Sequence, residues 1–375
     1  MSLLAIRSFL KRVLPANVRK MINRTVLIPT RTYAWRLLFA LPHPIFQRYQ
    51  YPSTIYISLT SRCNLRCFIC RREGFQGEDL EFENIHKLEK AIRYASTINL
   101  TSWGEVFLYP RFEEVLAYIY SINPNEVISI TTNGTRLSHR IARLLSGHLQ
   151  RLVISLNAAT PETYNRDMKY GDFETTLSAI RSFLSGLDKK DWCKLALHFV
   201  AHTKNCFEMS DYVVLAKNLG IPAVSFGQYF AGNVEHSRHT LLHVKEEYNA
   251  VVERTRALGE KLGVRVFALK FRLSLQKKQS SQKCLAPFRE CNISPNGETQ
   301  VCCFAGDYSA GNLFETSFEE VWFGEAYRKL RKKRYLAACS RCWPLLCLDD
   351  YRSHFTEHFK ARREFSEIEC KFANS

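Results

Sequence analysis

Nowhere in its 375 residues does the chain hold an apolar run near the ~20 residues that a membrane-spanning helix needs. The most apolar early stretch, Tyr33 to Phe46, is broken by Arg36, Pro42 and Pro44 and offers no small-residue cleavage site, so no signal peptide is expected. A glycine-rich phosphate loop is missing, and so is the pattern of any nucleic-acid-binding fold; nucleic acid is not an expected partner. Acidic residues are missing from the first 72 positions, where thirteen Lys and Arg precede Glu73. Cysteine is absent from most of the chain: of thirteen, most fall in two groups, at 63–70 and 284–347. A secreted disulfide scaffold is short and spreads its cysteines throughout. Tight groups in an enzyme-sized chain point to metal sites in a reducing compartment, the cytoplasm.

Apolar residues make up 46% of the chain, enough for a full core. The net charge of +17 is uneven: residues 1–72 carry +13 and the remaining 303 only +4. Within residues 1–50, Leu3, Ile6, Leu10 and Val13 recur at helical spacing against Arg7 and Lys11. Val18, Met21 and Ile22 do the same against Arg19, Lys20 and Arg24. This segment reads as a basic amphipathic extension suited to peripheral contact with an anionic membrane, or to packing on the body of the protein.

From residue 53 strand and helix patterns alternate. Strands are expected at Thr54–Leu59, Asn99–Trp103, Val127–Thr132, Leu152–Asn157, Lys194–Ala201 and Ala223–Tyr229. Helices are expected near 84–95, 111–121, 137–146, 174–186, 206–218 and 244–262. Strands rich in Ile, Val and Leu suit a parallel sheet buried on both faces. Six such units predict an α/β fold, a partial (β/α)6 barrel over residues 51–275, with active groups at the C-terminal strand ends. Past 280 the alternation stops and cysteines and turns take over. A small cysteine-rich domain is placed at 280–348 and a tail helix at 349–375.

The first expected strand runs into Thr60-Ser61-Arg62-Cys63-Asn64-Leu65-Arg66-Cys67-Phe68-Ile69-Cys70. Thiolates are the soft ligands of iron–sulfur clusters, and C-x3-C-x2-C lets one loop wrap one cluster. Three ligands for four irons leave one iron open to a substrate or cofactor; a zinc knuckle is the other reading. The motif and its position resemble the radical SAM superfamily. That resemblance implies a 4Fe-4S cluster on Cys63, Cys67 and Cys70 whose open iron chelates S-adenosylmethionine (SAM). It also implies reductive cleavage of SAM to methionine and a 5′-deoxyadenosyl radical, and hydrogen abstraction from an unactivated C–H bond. Ile69 stands where the family often has an aromatic residue, which alters the adenine contact.

Further matches follow in order. Gly104 and Glu105 match the family's Gly-Gly-Glu-Pro motif, which faces the SAM amino group, whereas Trp103 and Val106 do not. Thr131-Thr132-Asn133-Gly134 resembles a common family turn, and Ser155-Leu156-Asn157 falls where polar side chains meet the SAM ribose or carboxylate. The resemblance implies Gly104, Glu105, Asn133, Ser155 and Asn157 as SAM contacts.

The second group resembles a SPASM domain: Cys284, the C-x12-G-x4-C run from Cys284 through Gly297 to Cys302, Gly311-Asn312-Leu313, and Cys339-x2-Cys342. The resemblance implies one auxiliary 4Fe-4S cluster on Cys284, Cys302, Cys339 and Cys342. Cys303 rivals Cys302, and a structural zinc on the same four ligands stays open. Cys291, Cys303 and Cys347 are unassigned; in a radical epimerase one of them would return hydrogen to the substrate. His236, His239 and His243 read as a solvated stretch, and His354 and His358 as part of an amphipathic surface helix.

The expected function is therefore that of a SPASM-type radical SAM oxidoreductase, reduced by a partner such as flavodoxin or ferredoxin. Its substrate is expected to be a peptide or protein, or alternatively a sugar, lipid or other small molecule. A non-catalytic iron–sulfur carrier or zinc-stabilised binding protein is the rival class. The strand-end residues at 104–105 and 155–157 argue against it, because a carrier has no use for a SAM pocket.

Overall fold

The computed structural model describes residues 51–70, 77–101, 104–125, 127–229, 235–271, 286–301 and 309–333. The extension at 1–50, the tail at 349–375, Cys284, Cys302, Cys303, Cys339, Cys342, Cys347, His354 and His358 lie outside them.

One ten-stranded sheet organises these residues. Its strands are β1 (Thr54–Ile57), β3 (Thr97–Asn99), β4 (Ile128–Thr132), β5 (Leu149–Ser155), β7 (Leu195–Ala201), β8 (Ala223–Gln228), β9 (Arg265–Ala268), β10 (Glu290–Ile293), β11 (Glu298–Gln300) and β12 (Ser309–Asn312). The spatial order is β12-β11-β10-β1-β3-β4-β5-β7-β8-β9, and every pairing from β10 through β9 is parallel. A separate two-stranded sheet joins β2 (Arg66–Cys67) to β6 (Met168–Lys169).

The helices are α1 (Glu89–Tyr94), α2 (Phe112–Ile122), α3 (His139–Leu145), α4 (Pro161–Asp167), α5 (Phe173–Gly186), α6 (Met209–Leu219), α7 (Lys245–Leu262), α8 (Phe318–Trp322) and α9 (Glu325–Lys333). Their ends follow from local chemistry. Ser138, Thr160 and Asp172 side chains accept from the third residue beyond each, and Pro161 occupies the first turn of α4. Gly220 and Gly263 close α6 and α7 in left-handed conformation. Ile, Leu and Val of the central strands are buried, Val200 excepted, as a sheet crossed by helices requires.

The six expected barrel strands are present, with altered ends. The second stops at Asn99 instead of reaching Trp103, because the Asn99 side chain accepts from Thr101 N at 2.9 Å and turns the chain. The fourth stops at Ser155 because Leu156 N and Asn157 N both point at the His198 carbonyl, and Asn157 adopts φ +58°. Three features were not expected: α4, the seventh parallel strand β9, and the attachment of β10. That strand pairs in parallel with β1, Thr54 opposite Glu290 and Ile57 opposite Ile293, so the later segment extends the barrel sheet. It is pinned further by Tyr51 Oη and Lys90 Nζ, which donate to Glu319 at 2.7 and 2.6 Å. Cys291 lies within β10, 1% exposed, with its thiol pushed up to about 12 by burial.

Candidate functional site

Parallel pairing brings the ends of β1, β3, β4, β5, β7 and β8 to one rim, and the cysteine loop leaves β1 there. Its lead-in, Thr60–Arg62, is clamped from both sides. On one side Ser61 N donates to Glu78 O at 2.8 Å, Thr60 Oγ1 donates to Asp79 at 2.5 Å, and Arg62 pairs with Asp79. On the other, Glu105 N donates to Arg62 O at 2.7 Å. Gly104 makes that approach possible: a Cβ there would lie 2.4 Å from Thr60 O and 2.5 Å from Arg62 O. Leu65, 2% exposed, plugs the loop into the core. Farther on, β2 pairs Arg66 with Lys169 and Cys67 with Met168, and Phe68 N donates to Asp167 O at 2.8 Å. The loop is thus fixed before, between and after its first two cysteines.

Glu105 is 1% exposed. Its carboxylate accepts from Thr132 Oγ1 and Asn133 N, both at 2.7 Å, and from Phe107 N at 3.3 Å. Burial pushes the carboxyl above its usual range, and these donors only partly offset it. In this arrangement the side chain ties the β3 end to the β4 end. Asn133 lies beside the first cysteine. Its Nδ2 donates to Asn64 Oδ1 at 3.0 Å and to Cys63 Sγ at 3.7 Å, while its Oδ1 accepts from Thr135 N and Oγ1 at 3.0 and 2.7 Å. Leu65 N also donates to Cys63 Sγ, at 3.5 Å.

Asn157 is buried; its Oδ1 accepts from Val200 N at 2.8 Å, joining the β5 end to β7. Ser155 differs: it is half-buried, and its hydroxyl makes no hydrogen bond among the described residues. Its register partner is His198, which in turn faces Ser225 at 2.8 Å from Nδ1 to Oγ. Phe199 packs on Tyr212 of α6, so the alternate residue His198 turns to the inner face of the sheet. Burial, and then the Arg151 charge, lower the His198 pKa to about 4, leaving a neutral imidazole. Sequence reasoning placed His198 in a strand and gave it no role; the signal was one polar residue at an inward position between Leu197 and Phe199.

A second feature missed from sequence surrounds Phe68. Its ring lies 5.1–5.5 Å from those of His202, Tyr229, His236 and His239. His239 is 7% exposed, so it belongs to this packing and not to a solvated stretch. His202 Nε2 meets Asp167 Oδ2 at 3.0 Å, and Arg166 pairs with the same carboxylate at 2.8 Å. Burial alone would raise the Asp167 carboxyl; the Arg166 and His202 bonds outweigh it and leave it at about 2. These contacts link the loops after β5, β7 and β8 to the stretch between Cys67 and Cys70.

The Cys63 sulfur receives the Asn133 and Leu65 N–H donors, of the kind that cluster sulfurs accept, so the thiols of this loop fit an iron–sulfur cluster. Among the described residues no helix is long and apolar enough to cross a membrane.

Comparison with known proteins gives two family matches, the radical SAM superfamily over residues 57–190 and an iron–sulfur cluster-binding domain, SPASM, over 284–343. The chain is 25% identical over 284 residues to the antilisterial bacteriocin subtilosin biosynthesis protein AlbA of Bacillus subtilis, covering 72% of this chain and 60% of that one. It is 26% identical over 173 residues to a probable GTP 3′,8-cyclase of Methanocaldococcus jannaschii, covering 44% and 56%. The chain therefore spans about three fifths of the length of these relatives. Its fold is shared with Streptococcus suis SuiB bound to its precursor peptide SuiA, with a TM-score of 0.58 and 15% identity over 86% of this chain and 79% of that one.

Proposed function

Because the chain belongs to the radical SAM superfamily and carries a SPASM domain, we propose that it is a peptide-modifying radical SAM enzyme. The observation that carries this reading is the clamped cysteine loop at the rim of the parallel strands. Cys63, Cys67 and Cys70 would hold a 4Fe-4S cluster, and Cys284, Cys302, Cys339 and Cys342 one auxiliary cluster. When bound and reduced, the first of these clusters would supply the electron for reductive cleavage of SAM and so for hydrogen abstraction from an unactivated C–H bond.

The chain's own residues do the positioning. Gly104 and Glu105 keep the loop against the β3 end. Gly104, Glu105, Asn133, Ser155 and Asn157 frame the SAM side of the rim, with the Ser155 hydroxyl open to a ligand. Ser155, His198 and Ser225 line the inner face, where the substrate would lie. A peptide substrate is supported by AlbA's role in bacteriocin synthesis and by SuiB's bound precursor peptide. The likeness to a GTP cyclase supports a second reading, a small-molecule substrate. A low-potential donor such as flavodoxin or ferredoxin would supply the electron in the cytoplasm. The basic residues 1–50 would rest on an anionic membrane surface.

The test is anaerobic incubation of the reconstituted protein with SAM, a strong reductant and, in separate reactions, short peptides encoded by neighbouring genes, nucleotides or sugars. A mass change in the peptide coupled to SAM cleavage is expected. SAM cleavage with an unaltered peptide, but with a modified nucleotide or sugar, favours the second reading.

A further inference from the structure

Asn133 occupies a position that the turn resemblance does not explain. Its amide orientation is fixed by its neighbours. Oδ1 faces the Thr135 backbone N–H, which can only donate, so an acceptor must stand there. The NH2 group is therefore turned to Asn64 Oδ1 and Cys63 Sγ. Asn64 is held in turn, its Nδ2 donating to Thr135 Oγ1 at 2.9 Å, and the Asn133 backbone is held by Glu105 at 2.7 Å. At 9% exposure the amide has little water to compete for its N–H groups.

We propose that Asn133 is a positioning residue that donates an N–H···S hydrogen bond to the Cys63 thiolate and thereby raises the reduction potential of the cluster bound there. This rests on the cluster assignment above. Reduction adds negative charge that spreads onto the ligand sulfurs. A fixed donor stabilises the reduced form more than the oxidised one, so its loss shifts the potential downward. Leu65 N–H supports the same sulfur but belongs to the backbone, so Asn133 is the donor that a substitution can remove.

The test is a potentiometric titration of the reconstituted full chain, followed by the EPR signal that changes on adding SAM. That response separates this cluster from the auxiliary one. Asn133→Asp keeps the shape, removes both N–H groups and adds a negative charge, and should give the largest downward shift. Asn133→Ala should give a smaller one. Thr135→Val keeps the backbone N–H that orients the amide and removes only the hydroxyl that donates to Asn133 Oδ1 and accepts from Asn64 Nδ2, and should give the smallest. Wild-type iron and sulfide content with potentials equal to wild type in Asn133→Ala and Asn133→Asp would overturn the proposal. So would an upward shift, or loss of the cluster from Asn133→Ala while far-UV circular dichroism is unchanged, because Asn133 would then be needed for assembly and not for tuning. A wild-type protein that takes up no SAM-responsive cluster would instead overturn the function proposed above.

Discussion

The two halves of the rim use their polar groups differently. Around β1, β3 and β4 the side chains bond to one another: Asp79 to Thr60 and Arg62, Glu105 to Thr132, Asn133 to Asn64. Around β5, β7 and β8 His198 bonds to Ser225, but the Ser155 hydroxyl beside them makes no hydrogen bond among the described residues, and Tyr170 and Phe207 are 84% and 62% exposed. The first half is a self-satisfied cradle that holds one loop in one place. The second leaves the Ser155 hydroxyl for a ligand under the function proposed above. The Asp167–His202 pair and the rings around Phe68 couple the two.

If the first half is a rigid cradle, small intrusions there should be the most damaging. Gly104→Val puts carbon onto backbone oxygens that cannot rotate away, and overpacking of this kind costs ~1–3 kcal/mol or more. The expected outcome is a folded protein lacking the SAM-responsive cluster, read by iron analysis and EPR; full iron content would break the contrast. At the link between halves, Asp167→Asn should lower stability at neutral pH by about 2 kcal/mol. The folded carboxyl titrates near 2, below its usual 3.8, so its contribution is complete above that usual value and vanishes as pH falls through 2. Denaturant midpoints of wild type and variant should therefore converge between pH 4 and 2. In the open half, Ser155→Ala should keep full iron but weaken SAM binding roughly 2–10-fold, as one hydrogen bond of ~0.5–1.5 kcal/mol would, read by equilibrium dialysis. Loss of iron would make Ser155 part of the cradle.

The smallest effect on the cluster and on SAM is expected from the charged extension, which should act on surface attachment alone. Each basic residue near an anionic surface contributes on the order of 1 kcal/mol, screened by salt. The full chain should sediment with anionic liposomes at low salt and release at high salt, whereas a chain starting at Tyr51 should stay in solution. Equal behaviour would leave residues 1–50 as a packed arm.

The cradle was legible because its signals are local. Three cysteines at fixed gaps after a β-branched run, then Gly104-Glu105 and Asn133-Gly134 at later strand ends, need no knowledge of long-range pairing. The side-chain roles were less legible. Glu105 and Asn157 read as cofactor contacts, yet both are engaged in joining neighbouring strands, which depends on register. Helix α4 carried its own signature, Thr160-Pro161-Glu162, which the short segment concealed. The four residues of β10 hold no alternation strong enough to announce a partner 236 positions away in Thr54. The Phe68 cage joins three loops through ring contacts, and no spacing encodes those.

The central claim is that the cradle holds a cluster that cleaves SAM. Anaerobically reconstituted wild type should carry about eight irons per chain, from two four-iron clusters, and with a strong reductant should convert SAM to 5′-deoxyadenosine and methionine. The variant with Cys63, Cys67 and Cys70 all changed to Ala should retain about four irons and form no 5′-deoxyadenosine. Formation of 5′-deoxyadenosine by that triple variant would contradict the account.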